Sequence, residues 1–449
     1  MIGGTIKKPG IALGIAMAGL AFAGATSSAS AADLGGGGYA DLEERIAELE
    51  ATTARKGNRK VSLTVSGLLN EAILFWDDGR ESNAYVITNE EGQSRVRFLG
   101  EAEIAKGWKA GYLLELGIRG SRGDRVDQDT ADGGAAADQL STRHSAWWLS
   151  SKDYGKLWLG LTSDAADGIT EINLANTNHF ASSNKQYAGD GGNGFFIKNN
   201  LGNNIAISPG SSLRWGNVSS PPGAAQQIGE GHRENLVKYE TPTFAGFTGS
   251  ASWGEDDIWN LALRYKGEFS GFKFAAGIAY SEINKNNQNT WRRGAGDTDE
   301  LGLSASLQHT ETGLYITGAY GHLTDDGVSA ISASLDDESD FYFVQAGIER
   351  KFFPVGKTTL FGEYWQTDRG AWGVPVTGGG GNVISIGGDF VTGSTYEGWG
   401  VGINQNFNEF FDLYLLYNHT TAEISTTSGK LTGIEDEFDY VVGGAQIKF

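Results

Sequence analysis

From Val61 to the last residue, Phe449, apolar and polar residues alternate with a period of two. Trp108, Ala110, Tyr112, Leu114, Leu116 and Ile118 fall on one face of an extended segment, and Lys109, Gly111, Glu115, Gly117 and Arg119 fall on the other. The preceding segment sets Val96, Phe98, Ala102 and Ile104 against Arg95, Arg97, Glu101 and Glu103. Further on, Trp259, Leu261, Leu263 and Tyr265 oppose Asn260, Ala262 and Arg264. Successive side chains of a strand point to opposite faces, so these are strands with one greasy and one wet side. Beyond the first thirty residues no run of eighteen apolar residues exists, so a helical membrane span is excluded there. If this part of the chain crosses lipid it must do so as a closed barrel, because an open sheet edge leaves backbone groups unsatisfied in hydrocarbon.

Sixteen segments carry the pattern, at about 61–76, 93–105, 108–119, 142–150, 155–162, 233–240, 244–253, 257–266, 271–282, 300–309, 313–323, 340–350, 357–367, 395–406, 410–419 and 438–449. The gaps between them alternate in length. Lys106-Gly107, 151–154, 240–243 and 310–312 are short, whereas 77–92, 163–232, 283–299, 324–339, 368–394 and 420–437 are long. Two gaps depart from the rule: 254–256 is short where a long one is due, and the Phe353-Pro354 turn is longer than its peers. Strands of about ten residues with short turns at one end and long loops at the other are the pattern of an all-β, 16-stranded antiparallel transmembrane barrel. Trp76, Trp108, Trp253, Trp259, Tyr265, Tyr280, Tyr320, Trp399, Tyr417 and Tyr440 sit near segment ends, where interfacial girdles would place them. A soluble sandwich of this length would need two or three domains with linkers, and none is visible.

Composition agrees. Glycine is 67 of 449 residues without a collagen period, proline only 7, and cysteine is absent, so there is no disulfide frame and no thiolate metal site. The net charge of −20 excludes nucleic acid as a partner, which would require a basic face, and favours a cation-enriching channel or surface.

Residues 1–31 have the layout of a signal peptide. Lys7 and Lys8 precede a short apolar run from Ile11 to Ala23, and Ala29-Ser30-Ala31 forms a small-residue cleavage site, so the mature chain is expected to start at Ala32. Residues 32–58 read as a Gly-rich tether, Gly35 to Gly38, followed by a short helix. Leu42, Ile46 and Leu49 give that helix a seam one heptad long, which suits either a three-copy coil or a solvated linker. The barrel is expected to occupy 59–449.

Several stretches resemble the general trimeric porins of the Gram-negative outer membrane. The run Ser94-Arg95-Val96-Arg97-Phe98-Leu99-Gly100, with Lys106-Gly107-Trp108-Lys109-Ala110 after it, is similar to that family's second hairpin. Residues 142–149 (TRHSAWWL) and 154–160 (YGKLWLG) resemble the strand pair ahead of its constriction loop, and 233–247 (RENLVKYETPTFAGF) the strand and turn after it. The terminal Phe449 stands where such barrels end in an aromatic residue read by the assembly machinery. The resemblance implies a homotrimer in contact with outer-membrane lipid and lipopolysaccharide, a water-filled pore in each subunit, small hydrophilic solutes as cargo, and a third loop that folds inward. Here that loop, 163–232, is unusually long.

A channel acts by electrostatics and sterics, through the field of the charges lining a lumen with low-dielectric walls. Arg95, Arg97, Arg119, Arg143, Arg233 and Arg264 fall on polar strand faces near the third loop, and Asp164, Asp167 and Glu171 open that loop. These nine are the candidate pore constriction, guanidinium on the wall facing carboxylate on the loop; the alternative for each is a structural pair or a solvated wall charge. No catalytic, cofactor-binding or metal-binding residue is assigned. Gly189 to Gly194 satisfies G-x-G-x-x-G but follows no βαβ strand. Asp127 to Gly133 nearly spells a calcium loop with its third carboxylate one place late. His144, His232, His309, His322 and His419 have no metal-site spacing. The functions in view are a passive diffusion channel, a substrate-selective channel of carbohydrate type, with Phe195, Phe196 and Trp215 as an aromatic slide, an outer-membrane hydrolase and an adhesin.

Overall fold

In the computed structural model, residues 61–133, 139–185, 194–207, 211–219, 227–254, 258–283, 297–329, 335–371, 385–386 and 388–449 are described. The expected signal peptide, tether and short helix lie outside them, as does most of the G-x-G-x-x-G motif.

Sixteen wall strands run in chain order, each antiparallel to the next. They are β1 (Ser62–Asp77), β2 (Arg95–Ala105), β3 (Trp108–Ile118), β4 (Leu140–Ser151), β5 (Gly155–Ser163), β6 (Arg233–Glu240), β7 (Phe247–Gly254) and β8 (Ile258–Phe269), then β9 (Phe272–Ile283), β10 (Thr298–His309), β11 (Leu314–Asp325), β12 (Glu338–Arg350), β13 (Lys357–Arg369), β14 (Asp389–Asn408), β15 (Phe411–Thr426) and β16 (Glu437–Lys448). The sheet closes on itself. β1 pairs with β16 from Leu68 against Lys448 to Asp77 against Asp439, so neither strand leaves an edge. The short turns, such as Lys106-Gly107 and Ser270-Gly271, gather at one end and the long connections at the other.

Two connections differ from expectation. The 77–92 gap is not a plain loop. Ser82–Thr88 forms an accessory strand on the upper half of β1, Glu71 to Asp77, while β2 pairs with the lower half, Ser62 to Leu68. Tyr85 and Ile87 are buried and Val86 exposed, so the two-residue period persists here. Between accessory strand and β2, residues 89–94 leave the wall and turn inward, burying Asn89, Glu90, Gln93 and Ser94. The 420–437 gap also shrinks, because β15 runs on to Thr426 with Ala422 and Ile424 buried on its inner face.

The outer wall is apolar as expected. Leu261, Leu263, Ile278, Ile316, Val401 and Leu415 are all about half exposed, a band that only lipid or another apolar surface would cover. The inner wall is not uniformly wet. From β11 round to β16 and β1 it carries Tyr315, Phe341, Phe343, Phe361, Trp365, Tyr396, Tyr414, Phe438 and Val442, all buried in one core cluster. Strands there are apolar on both faces, the pattern of a sheet covered on both sides. Trp76 and Tyr440, expected in the interfacial girdle, belong to this inner cluster at 3% and 1% exposure, whereas Trp253 and Trp399 face outward. What covers the dry half is the third loop.

Replacing Leu263, at the middle of β8 on the outer face, with arginine is expected to cost roughly 2–4 kcal/mol if that face meets hydrocarbon. The check is urea-dependent refolding into lipid vesicles; an unchanged midpoint would mean that the face meets water.

Candidate functional site

The loop between β5 and β6 begins and ends in a knot of hydrogen bonds. Asp164 Oδ1 accepts from the backbone N–H of Ala166 and of Asp167, both at 2.8 Å, and its Oδ2 accepts from that of His232 at 3.0 Å. Glu230 accepts from the N–H of Gly168, from that of Thr170 at 2.8 Å and from the Thr170 hydroxyl at 2.5 Å. Arg264 on β8 donates to the carbonyls of Ala165 and Asp167, each at 2.8 Å, and Ser252 on β7 accepts from Ala165 N–H. Each bond fills a backbone group that the inward turn removes from the sheet ladder. The seat is shaped by glycine. A Cβ on Gly302 of β10 would lie 1.9 Å from the Gly229 carbonyl, and one on Gly321 of β11 would lie 1.9 Å from that of Ile228, so only bare backbone lets the loop's end lie flat on the wall.

From this knot the chain crosses the lumen. Ile172 and Leu174 N–H donate to Ser304 and Ser306 on β10. Asn173 reaches Gln345 on β12 at 3.0 Å, and Asn176 reaches Asp412 on β15 at 2.7 Å. Lys185 then ends buried at 1% exposure, its Nζ 2.7 Å from Glu363 Oε1 on β13 and over the Trp365 ring. The chain next climbs the dry half, where Phe195 packs on Trp76 and Phe438 and Trp215 on Phe438 and Tyr396. The Asp127 turn buttresses it. Gln128 bonds the N–H and carbonyl of Phe196 at 2.9 and 3.0 Å, and Asp127 pairs with Arg214 at 2.9 Å. That turn, which nearly spells a calcium loop, thus holds protein groups.

The loop and the 89–94 segment leave open a polar cavity of about 460 Å³ on the β2 to β6 side. Arg95, Arg119, Arg143 and Arg233 line it, with Glu90, Glu91, Asp167 and Glu171 on the two inward segments. On the wall, one fully buried carboxylate, Glu115, is shared by three guanidinium groups: Arg143 Nε at 2.7 Å, Arg97 Nη2 at 2.5 Å and Arg95 Nη1 at 3.7 Å. Arg119 pairs with Glu90 at 2.8 Å, and Arg233 stands 3.9 Å from Asp167.

Burial acts on the carboxyls of the inward segments. It pushes Glu91 up to about 8, against the pull of Lys185. Burial, with Asp124 adding to it, raises Glu90 to about 7 despite Arg119, and burial together with Asp167 raises Glu171 to about 7. For Asp167, burial is overridden by the Arg233 guanidinium, which holds the carboxyl below its usual range. Burial lowers His179 to about 4, leaving it neutral.

Of the nine residues expected at a constriction, six meet in this cavity: Arg95, Arg119, Arg143, Arg233, Asp167 and Glu171. Three are placed elsewhere. Asp164 is buried as the cap of the loop's first turn, Arg264 ties that turn to the wall, and Arg97 lies on the far side of Glu115. Glu90 and Glu91 were missed because 77–92 reads as an external loop, and Gln93 because it reads as the first residue of the strand 93–105, which starts at Arg95 instead; the break in alternation at Asn89-Glu90-Glu91-Gly92 was the available signal. Phe195, Phe196 and Trp215 are buried against the wall and away from the cavity, so they form no aromatic slide. His232 stands between Asp164 (3.4 Å) and Glu234 (3.7 Å), a group large enough to surround a cation that no local spacing announces. The carboxylates approach opposite ring nitrogens, which suits an imidazole bridging them better than one chelating an ion.

Residues 16–446 match the Gram-negative porin family. The chain belongs to that family. This porin is therefore a β-barrel of the outer membrane, and its barrel encloses a channel. Among proteins with curated descriptions none matches it in sequence. In fold it is similar to OmpF of Salmonella typhi, solved in complex with daunomycin, at 13% identity and a TM-score of 0.50, covering 87% of this chain and 98% of that one. OmpT of Vibrio cholerae aligns at 12% identity and a TM-score of 0.49 over 88% and 99% of the two chains. The channel DcaP of Acinetobacter baumannii aligns at 11% and 0.45 over 88% and 100%.

Removing one partner of a buried ion pair costs roughly 3–5 kcal/mol, so Lys185→Met is expected to loosen the loop from β13. Single-channel recording should then show a larger, noisier conductance. The double change Lys185→Met, Glu363→Gln should restore most of the quiet state; an unaltered trace in the single variant would assign no holding role to the pair.

Proposed function

We propose that this porin is a passive diffusion channel for small hydrophilic solutes and ions, working as a homotrimer, with a preference for cations. The observation that carries the reading is the polar cavity between an arginine wall and two carboxylate-bearing inward segments. Opposed charges across a narrow aqueous gap in a low-dielectric wall make a transverse field, which favours polar solutes over apolar ones. The cation preference is inferred from the net charge of −20 and from the carboxyls of Glu90, Asp167 and Glu171 at the gap, to which Glu91 adds as pH rises through about 8. The trimer follows from the family, and lipopolysaccharide would then contact the outward apolar band at its external rim.

The sugar-channel alternative loses its support with the burial of Phe195 and Trp215. A hydrolase or an adhesin has no feature at this gap to recommend it.

Planar-bilayer recording under a potassium chloride gradient tests the reading. Stable open conductance with a reversal potential on the cation side is expected at neutral pH. Glu90 and Glu171, with values near 7, and Glu91, near 8, are neutral below those values and anionic above them. Cation preference should therefore rise as pH passes upward through that window. Arg143→Ala should widen the gap and raise the preference further; anion preference throughout would overturn the selectivity proposed.

A further inference from the structure

The outward residues of β7 are Phe247, Gly249, Ala251 and Trp253, two small ones between two aromatics. Their cross-strand neighbours are large. Ala251 pairs with Tyr239 on β6 and Leu261 on β8, and Gly249 pairs with Leu263. On β9 the same two rows continue in Tyr280 and Ile278. The outcome is an apolar groove of about 440 Å³ sunk into the outer face, with Gly249 and Ala251 as its floor. No other part of the barrel presses on that floor: a Cβ on Gly249 would meet nothing nearer than Thr241 Cγ2 at 3.5 Å, an ordinary contact. The groove is continuous with the apolar band that faces the membrane, and leaving it empty there would forfeit dispersion contacts along its whole lining. Its two ends differ. At the short-turn end the Thr241 oxygen accepts from Gly249 N–H at 2.9 Å, which keeps the hydroxyl hydrogen for an acceptor outside the wall. At the long-loop end Tyr280 donates to Asp299 at 2.6 Å and Glu282 lies opposite Asp299 in register, so carboxylates bound the groove on that side.

We propose that this groove seats one acyl chain of a phospholipid from the periplasmic leaflet, with the phosphate of its headgroup at Thr241. The inference goes beyond the channel reading and does not depend on the pore. Short turns mark the periplasmic end of such a barrel and long loops the external end, so a chain entering beside Thr241 comes from the periplasmic side. Methylene groups then lie on Gly249 and Ala251, between Tyr239 and the ridge of Leu261 and Leu263, and the tail ends below Tyr280. A lipopolysaccharide chain entering from the other side would bring its phosphates to Asp299 and Glu282, where like charge opposes it. The Thr241 end offers a phosphate a hydroxyl donor instead.

The test is native mass spectrometry of the full-length folded porin in detergent, titrated separately with dipalmitoyl phosphatidylethanolamine and with lipid A. One phosphatidylethanolamine per chain is expected to be retained, at a concentration about tenfold or more below that needed for lipid A. Gly249→Leu and Ala251→Leu, which fill the floor from outside, should each raise the concentration needed about tenfold. Thr241→Val should raise it about threefold. Val344→Leu, on the outer face of β12 and away from the groove, should leave it unchanged. Heat-resistant migration on gels and an unaltered single-channel conductance show that each variant is folded. Lipid A retained as well as phosphatidylethanolamine would overturn the assignment to the periplasmic leaflet. Equal retention by the two filled variants would place the lipid elsewhere, and no retained lipid on folded protein would leave the groove without its occupant. Loss of the oligomer in the filled variants, with lipid retention unchanged, would make the groove a contact between copies of this chain. Each of these results sinks the proposal and leaves the channel reading standing.

Discussion

The structure rests on one requirement: every backbone N–H and C=O that meets hydrocarbon must find a partner within the protein. The seam between β1 and β16, ten residue pairs from Leu68–Lys448 to Asp77–Asp439, meets it by abolishing the last free edge. Everything else is arranged inside or above that cylinder. The same requirement explains the dense bonding of the third loop. A chain that leaves the wall gives up its ladder partners, and Asp164, Glu230, Arg264, Ser304 and Ser306 supply replacements one by one.

The barrel is divided lengthwise. Aromatic side chains on the inner faces of β12, β13, β15 and β16 could not face water at this density without cost, and residues 194–219 cover them with Phe195, Ile197, Leu213 and Trp215. The remaining side stays polar. There Glu115, a buried anion, neutralises and orients Arg95, Arg97 and Arg143 of β2 and β4 at once, while Arg233 of β6 faces the loop carboxylate of Asp167 at 3.9 Å. Long guanidinium side chains packed side by side would otherwise repel; sharing one carboxylate holds Arg95 and Arg143 together at the gap, with Arg97 outside it.

How far the sequence could be read differs by element. Wall strands follow from the two-residue period, and most lie within a few residues of expectation; β15 outran it because alternation continues through Ala422 and Ile424 above the apolar band. Arg95, Arg143, Arg233, Asp167 and Glu171 were identifiable because they fall on polar faces or at the opening of a long loop near the matched hairpins. Arg264 and Asp164 carry the same local signals yet act as ties and caps, since a charge on a polar face says nothing about which backbone group lies across from it. Phe195 and Trp215 could be read as a slide or as core, and only the inner aromatic wall opposite them selects core.

By itself the amino-acid sequence determined the cylinder: strand number, which faces meet lipid, and which gaps are long, because period and turn length are local properties that each segment carries alone. The constriction was decided by tertiary structure. Glu91 meets the tip of the third loop 91 residues away, and Lys185 meets Glu363 across 178 residues, through a path that depends on bare glycine at Gly302 and Gly321. Contacts of that span arise from how the closed wall and the inward chain fit together in space, and no spacing along the chain encodes them.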